Sequence, residues 1–337
     1  MAQKQFARLR LGKNGPDVSR LCLSARMFGN ETEPSEAAEM IARYGEAGGN
    51  FINAAGSGAD AAAERIVGRA LRGQRDRWII AAAAGQPLET NSNSGGGNHH
   101  WLREAIDASC DRLQVETIDL FYLCSDDRIS RIEETVEIIG EMMEAGKIGG
   151  WGFSNLRAWR IAELVRIADC LEVPRPTVAQ CYYHALYRLT EMEYLPAYAH
   201  FGIGVVANAP LARGMLSDDF SSDIQHSVYA GPEDPVVMDT TCRPAAMTAV
   251  RAIARHLQPS GRAITGFALQ WVLANRLVTS VLIRPQSLAQ LESYLRADET
   301  SYTPNDEAFM NELVPSGNFV GTAYLDRQSE HAGRVTG

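Results

Sequence analysis

A chain of 337 residues with 45% hydrophobic and 22% charged residues has the makeup of an ordinary globular protein and is long enough to bury a large core. Its 32 Lys and Arg against 41 Asp and Glu leave a net charge of -9 with no dense basic run, which argues against a nucleic-acid binder and points to small-molecule partners. The first ten residues lack an apolar signal core and no apolar run approaches the roughly 18 residues of a membrane span, so no membrane association and a cytoplasmic location are expected.

In chain order, Phe6 to Cys22 holds two short segments around Asn14-Gly15-Pro16, a turn signal that predicts an opening hairpin. Strand-like runs then occur at Ser19–Ser24, Asn50–Ala55, Trp78–Ala84, Ile118–Leu123, Gly149–Ser154, Thr177–Tyr183, Gly204–Ala209 and Ser280–Ile283. They alternate with helical patterns near Ser35–Ala47, Ala61–Leu71, His100–Leu113, Ile132–Ala145, Leu156–Ala168, Glu191–His200, Ala245–His256 and Leu288–Leu295. This alternation predicts an α/β fold, a single (β/α)8 TIM barrel spanning residues 1–337 as one domain. A further helix at Ala263–Ala274 and another in the tail from Thr303 complete the prediction. Two insertions, residues 85–98 after the third strand and 211–243 after the seventh, are placed over the catalytic face, the second as a lid or binding loop.

The ends of barrel strands are where active groups project, yet Asn50–Asp60 leads from a buried strand into a Gly-rich loop almost without acids or bases. Three other stretches carry chemistry there. Cys124-Ser125-Asp126-Asp127 ends strand four, Cys181-Tyr182-Tyr183-His184 ends strand six, and Asn98-His99-His100-Trp101 opens the third helix. His184 is the first choice for an acid or base, because imidazole exchanges protons near neutral pH. Tyr183 is a candidate at the pocket wall, and Cys124 a candidate nucleophile, although no cation is evidently placed to lower its pKa. Adjacent carboxylates such as Asp126 and Asp127 point apart, and His99 and His100 diverge at a helix start, so no metal site is assigned. His200, His226, His256 and His331 read as surface or loop residues, and Trp101 and Trp151 as packing. The six cysteines lack CxxC or CxH spacing, so free thiols are expected.

A set of short segments, in order, carries a resemblance: Leu11-Gly12, Val18-Ser19-Arg20-Leu21, Ala47-Gly48-Gly49-Asn50-Phe51-Ile52, Ile118-Asp119-Leu120-Phe121, Ala145-Gly146-Lys147-Ile148, Gly152-Phe153-Ser154-Asn155, Ala209-Pro210-Leu211 and Gln290-Leu291-Glu292. From about Phe6 to Leu295 the chain resembles the aldo-keto reductase superfamily, whose members reduce carbonyl compounds with NADPH through an Asp, Tyr, Lys and His tetrad. Carried over by position, the resemblance puts these four at Asn53, Gly58, Ala83 and Cys124, so all four are replaced, and no tyrosine lies between Gly45 and Leu120. It also implies cofactor positions. Ser154, Asn155 and Gln180 match the nicotinamide-binding set, and Ser287 and Gln290 match positions near the adenosine phosphate. Asn208 stands in place of the stacking aromatic residue, Arg284 in place of a glycine, and Tyr294 in place of an asparagine. The NADP(H) pocket is thus half retained.

Three readings follow from these residues. The first is an enzyme on this scaffold catalysing a non-redox step, an elimination, isomerisation or cyclisation, on a carbonyl-containing small molecule. The second is an NADP(H)-dependent oxidoreductase with a non-standard proton donor. The third is a catalytically inert binding or regulatory barrel.

Overall fold

The computed structural model describes residues 6–55, 62–84, 99–124, 132–154, 156–220 and 244–320. The expected hairpin is β1 (Arg8–Arg10) and β2 (Asp17–Ser19), antiparallel with Arg8 opposite Ser19. Between them Gly12 has a φ of +66°, and a Cβ there would lie 2.6 Å from the backbone nitrogen of Gly204, so both conformation and space demand glycine. The hairpin's Leu11 and Val18 are fully buried in the cluster inside the barrel and close its N-terminal opening.

The eight strands that follow are β3 (Leu21–Ser24), β4 (Phe51–Asn53), β5 (Ile79–Ala84), β6 (Leu120–Leu123), β7 (Trp151–Ser154), β8 (Val178–Tyr182), β9 (Gly204–Asn208) and β10 (Ser280–Ile283). All pair in parallel, and β10 pairs with both β9 and β3, so the sheet is the closed barrel that the alternation predicts. Ser19, expected in the first barrel strand, belongs to the hairpin instead, its N–H donating to Asn50 Oδ1 at 2.7 Å.

Around the strands lie α1 (Pro34–Glu46), α2 (Ala62–Ala70), α3 (His99–Leu113), α4 (Ile132–Glu144), α5 (Ala158–Cys170) and α6 (Tyr194–Phe201). They continue with α7 (Pro244–Leu257), α8 (Ile264–Ala274), α9 (Leu288–Leu295) and α10 (Pro304–Leu313). α10 starts at a capping box in which Thr303 and Asp306 each cover the other's backbone N–H, with Pro304 in the first turn. Among the described residues no helix is long and apolar enough to cross a membrane.

The two-residue period of the strands sorts side chains into two apolar layers. Leu23, Ile52, Ile80, Phe121, Phe153 and Val205 face outward beneath the helices. Cys22, Phe51, Ala81, Tyr122, Val206 and Leu282 fill the barrel interior. The same period decides which residues reach the C-terminal mouth.

Candidate active site at the barrel mouth

Two residues beyond the interior layer, the alternation brings Ser24, Asn53, Ala83, Cys124, Ser154, Gln180, Asn208 and Arg284 onto the inward side, one from each strand or its end. Ser24, Asn53, Ser154 and Gln180 are buried, whereas Ala83, Cys124, Asn208 and Arg284 are half-buried. Asn53 Oδ1 accepts the Ala55 N–H at 3.0 Å, so its carboxamide shapes the chain as it leaves β4.

Ser154 and Gln180 lie directly side by side in register on β7 and β8. Their closeness depends on Gly152, where a Cβ would stand 1.9 Å from the Val178 carbonyl oxygen. At α9 the local groups are already engaged. Ser287 Oγ accepts the Gln290 N–H at 3.3 Å, Gln290 Oε1 accepts the Gln286 N–H at 2.9 Å, and Glu36 Oε1 accepts the Leu288 N–H at 2.9 Å. Any phosphate arriving at this helix start therefore meets a carboxylate as well as amides, and Arg284 is the cation at the end of β10. Tyr294 is buried in the core. Gly58, Asn155, Asp126, Asp127, His226, His331, the insertion at 85–98 and residues 221–243 of the second insertion lie outside the described residues, as do the side chains of His99 and His100, which begin α3.

The three catalytic candidates sit in different surroundings. Tyr183 faces outward: its hydroxyl donates to Glu191 Oε1 at 2.7 Å and accepts from Asn275 Nδ2 at 3.1 Å, and its ring packs against Trp271. The neighbouring Tyr182, in phase with Gln180, is the inward one. His184 is 4% exposed, and its Nδ1 accepts the Leu186 N–H at 3.2 Å, which leaves the ring proton on Nε2. Burial, with a smaller push from Arg213, lowers its pKa to about 3, so it is a neutral turn-capping group and not an acid or base near neutral pH.

Cys124 keeps its place at the mouth but not its nucleophile's charge. Burial raises its pKa to about 11, against an opposing pull from the Arg26 guanidinium, so the thiol is protonated at neutral pH. Arg26 is thus a cation whose charge reaches Cys124, one that the sequence alone does not place. On the far side, where the chain leaves β9, Ala209, Ala212 and Arg213 all take positive φ, 55°, 49° and 55°. Three such non-glycine residues within five positions mark a strained loop at the mouth. His256 is not a surface residue either, as its Nε2 lies 2.7 Å from Asp306 Oδ1 and its ring stacks on Phe309. Among the described residues, no three His, Cys, Asp or Glu side chains gather as metal ligands. Cys22, Cys110, Cys124, Cys170 and Cys181 are free.

Sequence reasoning missed Tyr122, whose inward phase was the only signal. It sits inside the barrel next to Ala83 of β5 in register, with a buried hydroxyl that has no hydrogen-bond partner among the described residues, and burial holds its pKa well above the usual value. An O–H buried without a partner costs stability, so Tyr122→Phe is expected to be neutral or stabilising by about 1 kcal/mol. A thermal melt reads the outcome, and a clear loss of stability would show that the hydroxyl has a partner after all.

Comparison with known proteins bears on this mouth. A family model described as "Aldo/keto reductase family" matches residues 20–314. The "Uncharacterized oxidoreductase YrpG" of Bacillus subtilis is 28% identical over 90% of this chain and 95% of its own length. A "Probable voltage-gated potassium channel subunit beta" of Arabidopsis thaliana is 30% identical over 85% of this chain and 89% of its own. The "L-glyceraldehyde 3-phosphate reductase" of Escherichia coli K12 is 26% identical over 76% of each chain.

Proposed function

The chain belongs to the aldo/keto reductase family, and from that premise we propose that it is an NADP(H)-dependent oxidoreductase that reduces a small carbonyl compound at the barrel mouth with Cys124 as a non-standard proton donor. The observation that carries the reading is the register of Ser154 beside Gln180, two buried polar side chains at the mouth in the positions the family uses for the nicotinamide amide. Relatives named as an oxidoreductase and a reductase support the same chemistry.

These residues fit the nicotinamide end of the cofactor. Ser154 and Gln180 would hold its carboxamide, while Arg284, Ser287 and Gln290 would meet the adenosine end. Asn208 replaces an aromatic stack with a hydrogen-bonding amide. When bound, the dinucleotide supplies a hydride. What the protein must add is a proton for the oxygen of the reduced carbonyl. An alkoxide is a far stronger base than a thiolate, so a thiol whose pKa is about 11 still gives up its proton downhill. Cys124 Sγ donates that proton and regains one from water.

Titration with NADPH followed by fluorescence, then a panel of aldehydes with NADPH oxidation as readout, tests the reading. Turnover is expected, with Cys124→Ala lowering kcat by about 100-fold while dinucleotide affinity stays unchanged. Absence of NADPH binding would sink it. A second reading, a non-redox elimination, isomerisation or cyclisation, gains weight from the uncharged set Asn53, Ala83 and Cys124 at the positions assigned to the family's charged groups. It would be supported by conversion of a carbonyl substrate without dinucleotide. Binding without any turnover would favour the third role, an inert binding or regulatory barrel.

A further inference from the structure

We propose that a second cavity, behind the barrel wall, is a binding site for a small organic cation, a primary ammonium group carried on an apolar body. The site goes beyond the function proposed above and does not rest on it.

The cavity has a volume of about 380 Å³, within the range of small-ligand pockets. It lies on the outer side of β8, and its walls come from residues 183–195, from the C-terminal end of α8 with the turn that follows, and from residues 307–316. Leu195, Trp271, Ala274 and Leu277 supply the apolar surface. That surface continues at the rim. Leu277 is 42% exposed, and Met192, next to Glu191 in the chain, is 62% exposed with its Sδ over Gly317.

The charges in the wall decide which ligand fits. Arg188 is no anion receptor, because Nε and Nη2 donate to Glu191, Nη1 donates to Asn311 Oδ1 and the Val314 carbonyl, and the guanidinium face lies over Trp271. Glu191 is filled in turn by Arg188 and the Tyr183 and Ser316 hydroxyls. Glu307 is different. It is half-buried and its Oε2 accepts the Tyr302 hydroxyl at 2.6 Å, but among the described residues no cation pairs with it and Oε1 accepts no hydrogen bond. Arg276, exposed beside Asn275, contributes nothing to the wall. One guanidinium against two carboxylates therefore leaves one negative charge unbalanced. The first turn of α10, where Glu307 stands, eases that charge but gives Oε1 no donor.

A half-buried carboxylate has given up part of its hydration and recovers the loss only when a donor reaches the free oxygen. An ammonium supplies that donor and the missing positive charge together, while the aliphatic and aromatic walls take the body that carries it. A neutral hydroxyl of the same shape supplies the hydrogen bond alone. A carboxylate ligand supplies neither and is repelled.

The test uses the full chain and three probes of similar shape, phenethylamine, 2-phenylethanol and 3-phenylpropionate, followed by ligand-observed NMR at pH 7 and low salt. The amine is expected to bind about fivefold or more tightly than the alcohol, and 3-phenylpropionate more weakly than either. Glu307→Gln, whose carboxamide oxygen still accepts the Tyr302 hydroxyl, is expected to erase the preference for the amine while keeping the wild-type melting temperature. Ala274→Trp, a change at an exposed position of the wall, is expected to fill the cavity and weaken the amine and the alcohol alike. An amine that binds no better than the alcohol, a preference that survives Glu307→Gln, or binding untouched by Ala274→Trp would overturn the proposal. So would 3-phenylpropionate binding more tightly than the amine.

Discussion

Glu191→Ala is expected to cost about 3 kcal/mol of stability, several times the effect of Tyr183→Phe at about 1 kcal/mol. The reason lies behind the mouth, on the outer side of β8. The Glu191 carboxylate receives Arg188 Nε at 2.9 Å and Arg188 Nη2 at 3.0 Å, the Tyr183 hydroxyl at 2.7 Å and the Ser316 hydroxyl. Burial alone would raise its pKa, but these donors outweigh burial and hold it below the usual carboxylate range. Arg188 is 5% exposed. Removing the carboxylate strands that cation, with Asn311, the Val314 carbonyl and the face of Trp271 left to hold it among the described residues. Tyr183→Phe deletes one neutral donor and leaves the ion pair intact. Chemical denaturation of both variants reads the difference. Equal effects would mean that the ion pair contributes nothing beyond a single hydrogen bond. Because the network faces away from the mouth, Tyr183→Phe is also expected to leave ligand binding there unchanged.

The fold was legible because its signals are repeated. Each strand-like run is followed by an amphipathic stretch, and eight repetitions of that pattern have few solutions besides a closed barrel. Boundaries moved where side chains, not periodicity, set them. The helix expected from Glu191 begins at Tyr194, because Leu189–Glu191 forms a short 3-10 turn tied to Arg188. The site was less legible, for physical reasons. β8 runs Val178-Ala179-Gln180-Cys181-Tyr182, with apolar or neutral residues on both faces, so its alternation has no readable phase, and Tyr183 reads as pocket wall from sequence although Tyr182 faces inward. Tyr122 lay hidden in the same way on β6. Arg26 lies just past a strand, one cation among 32, and only barrel closure carries its charge to Cys124. A turn after β3 has no local feature that reveals what stands three strands away.

The second large effect is in pH. Folding holds the His184 pKa at about 3, whereas the same imidazole in an unfolded chain titrates near 6.5. Between those values the unfolded chain binds the extra proton, so this contribution is fully present above pH 6.5 and is lost as pH falls toward 3. Over the whole window the linkage amounts to at most about 5 kcal/mol, and by pH 5 roughly 2 kcal/mol is gone. The buried carboxylates do not mimic it. Asp306, held well below the usual range first by Arg262 and then by Thr303 and His256, loses its contribution only in stronger acid, and Asp119, raised by burial, acts with the opposite sign. His184→Asn is the discriminating variant, since an Asn Oδ1 can take the Leu186 N–H that Nδ1 now accepts and has no proton to gain. Denaturation midpoints at pH 7 and pH 5 should fall for the wild type and hold steady for the variant. A parallel fall in both would place the titrating group elsewhere. The same neutrality reaches into function: a histidine that stays uncharged down to about pH 3 leaves no limb near 6.5 in a pH–rate profile, so His184→Asn should shift the acid stability of this protein without shifting the pH dependence of its chemistry.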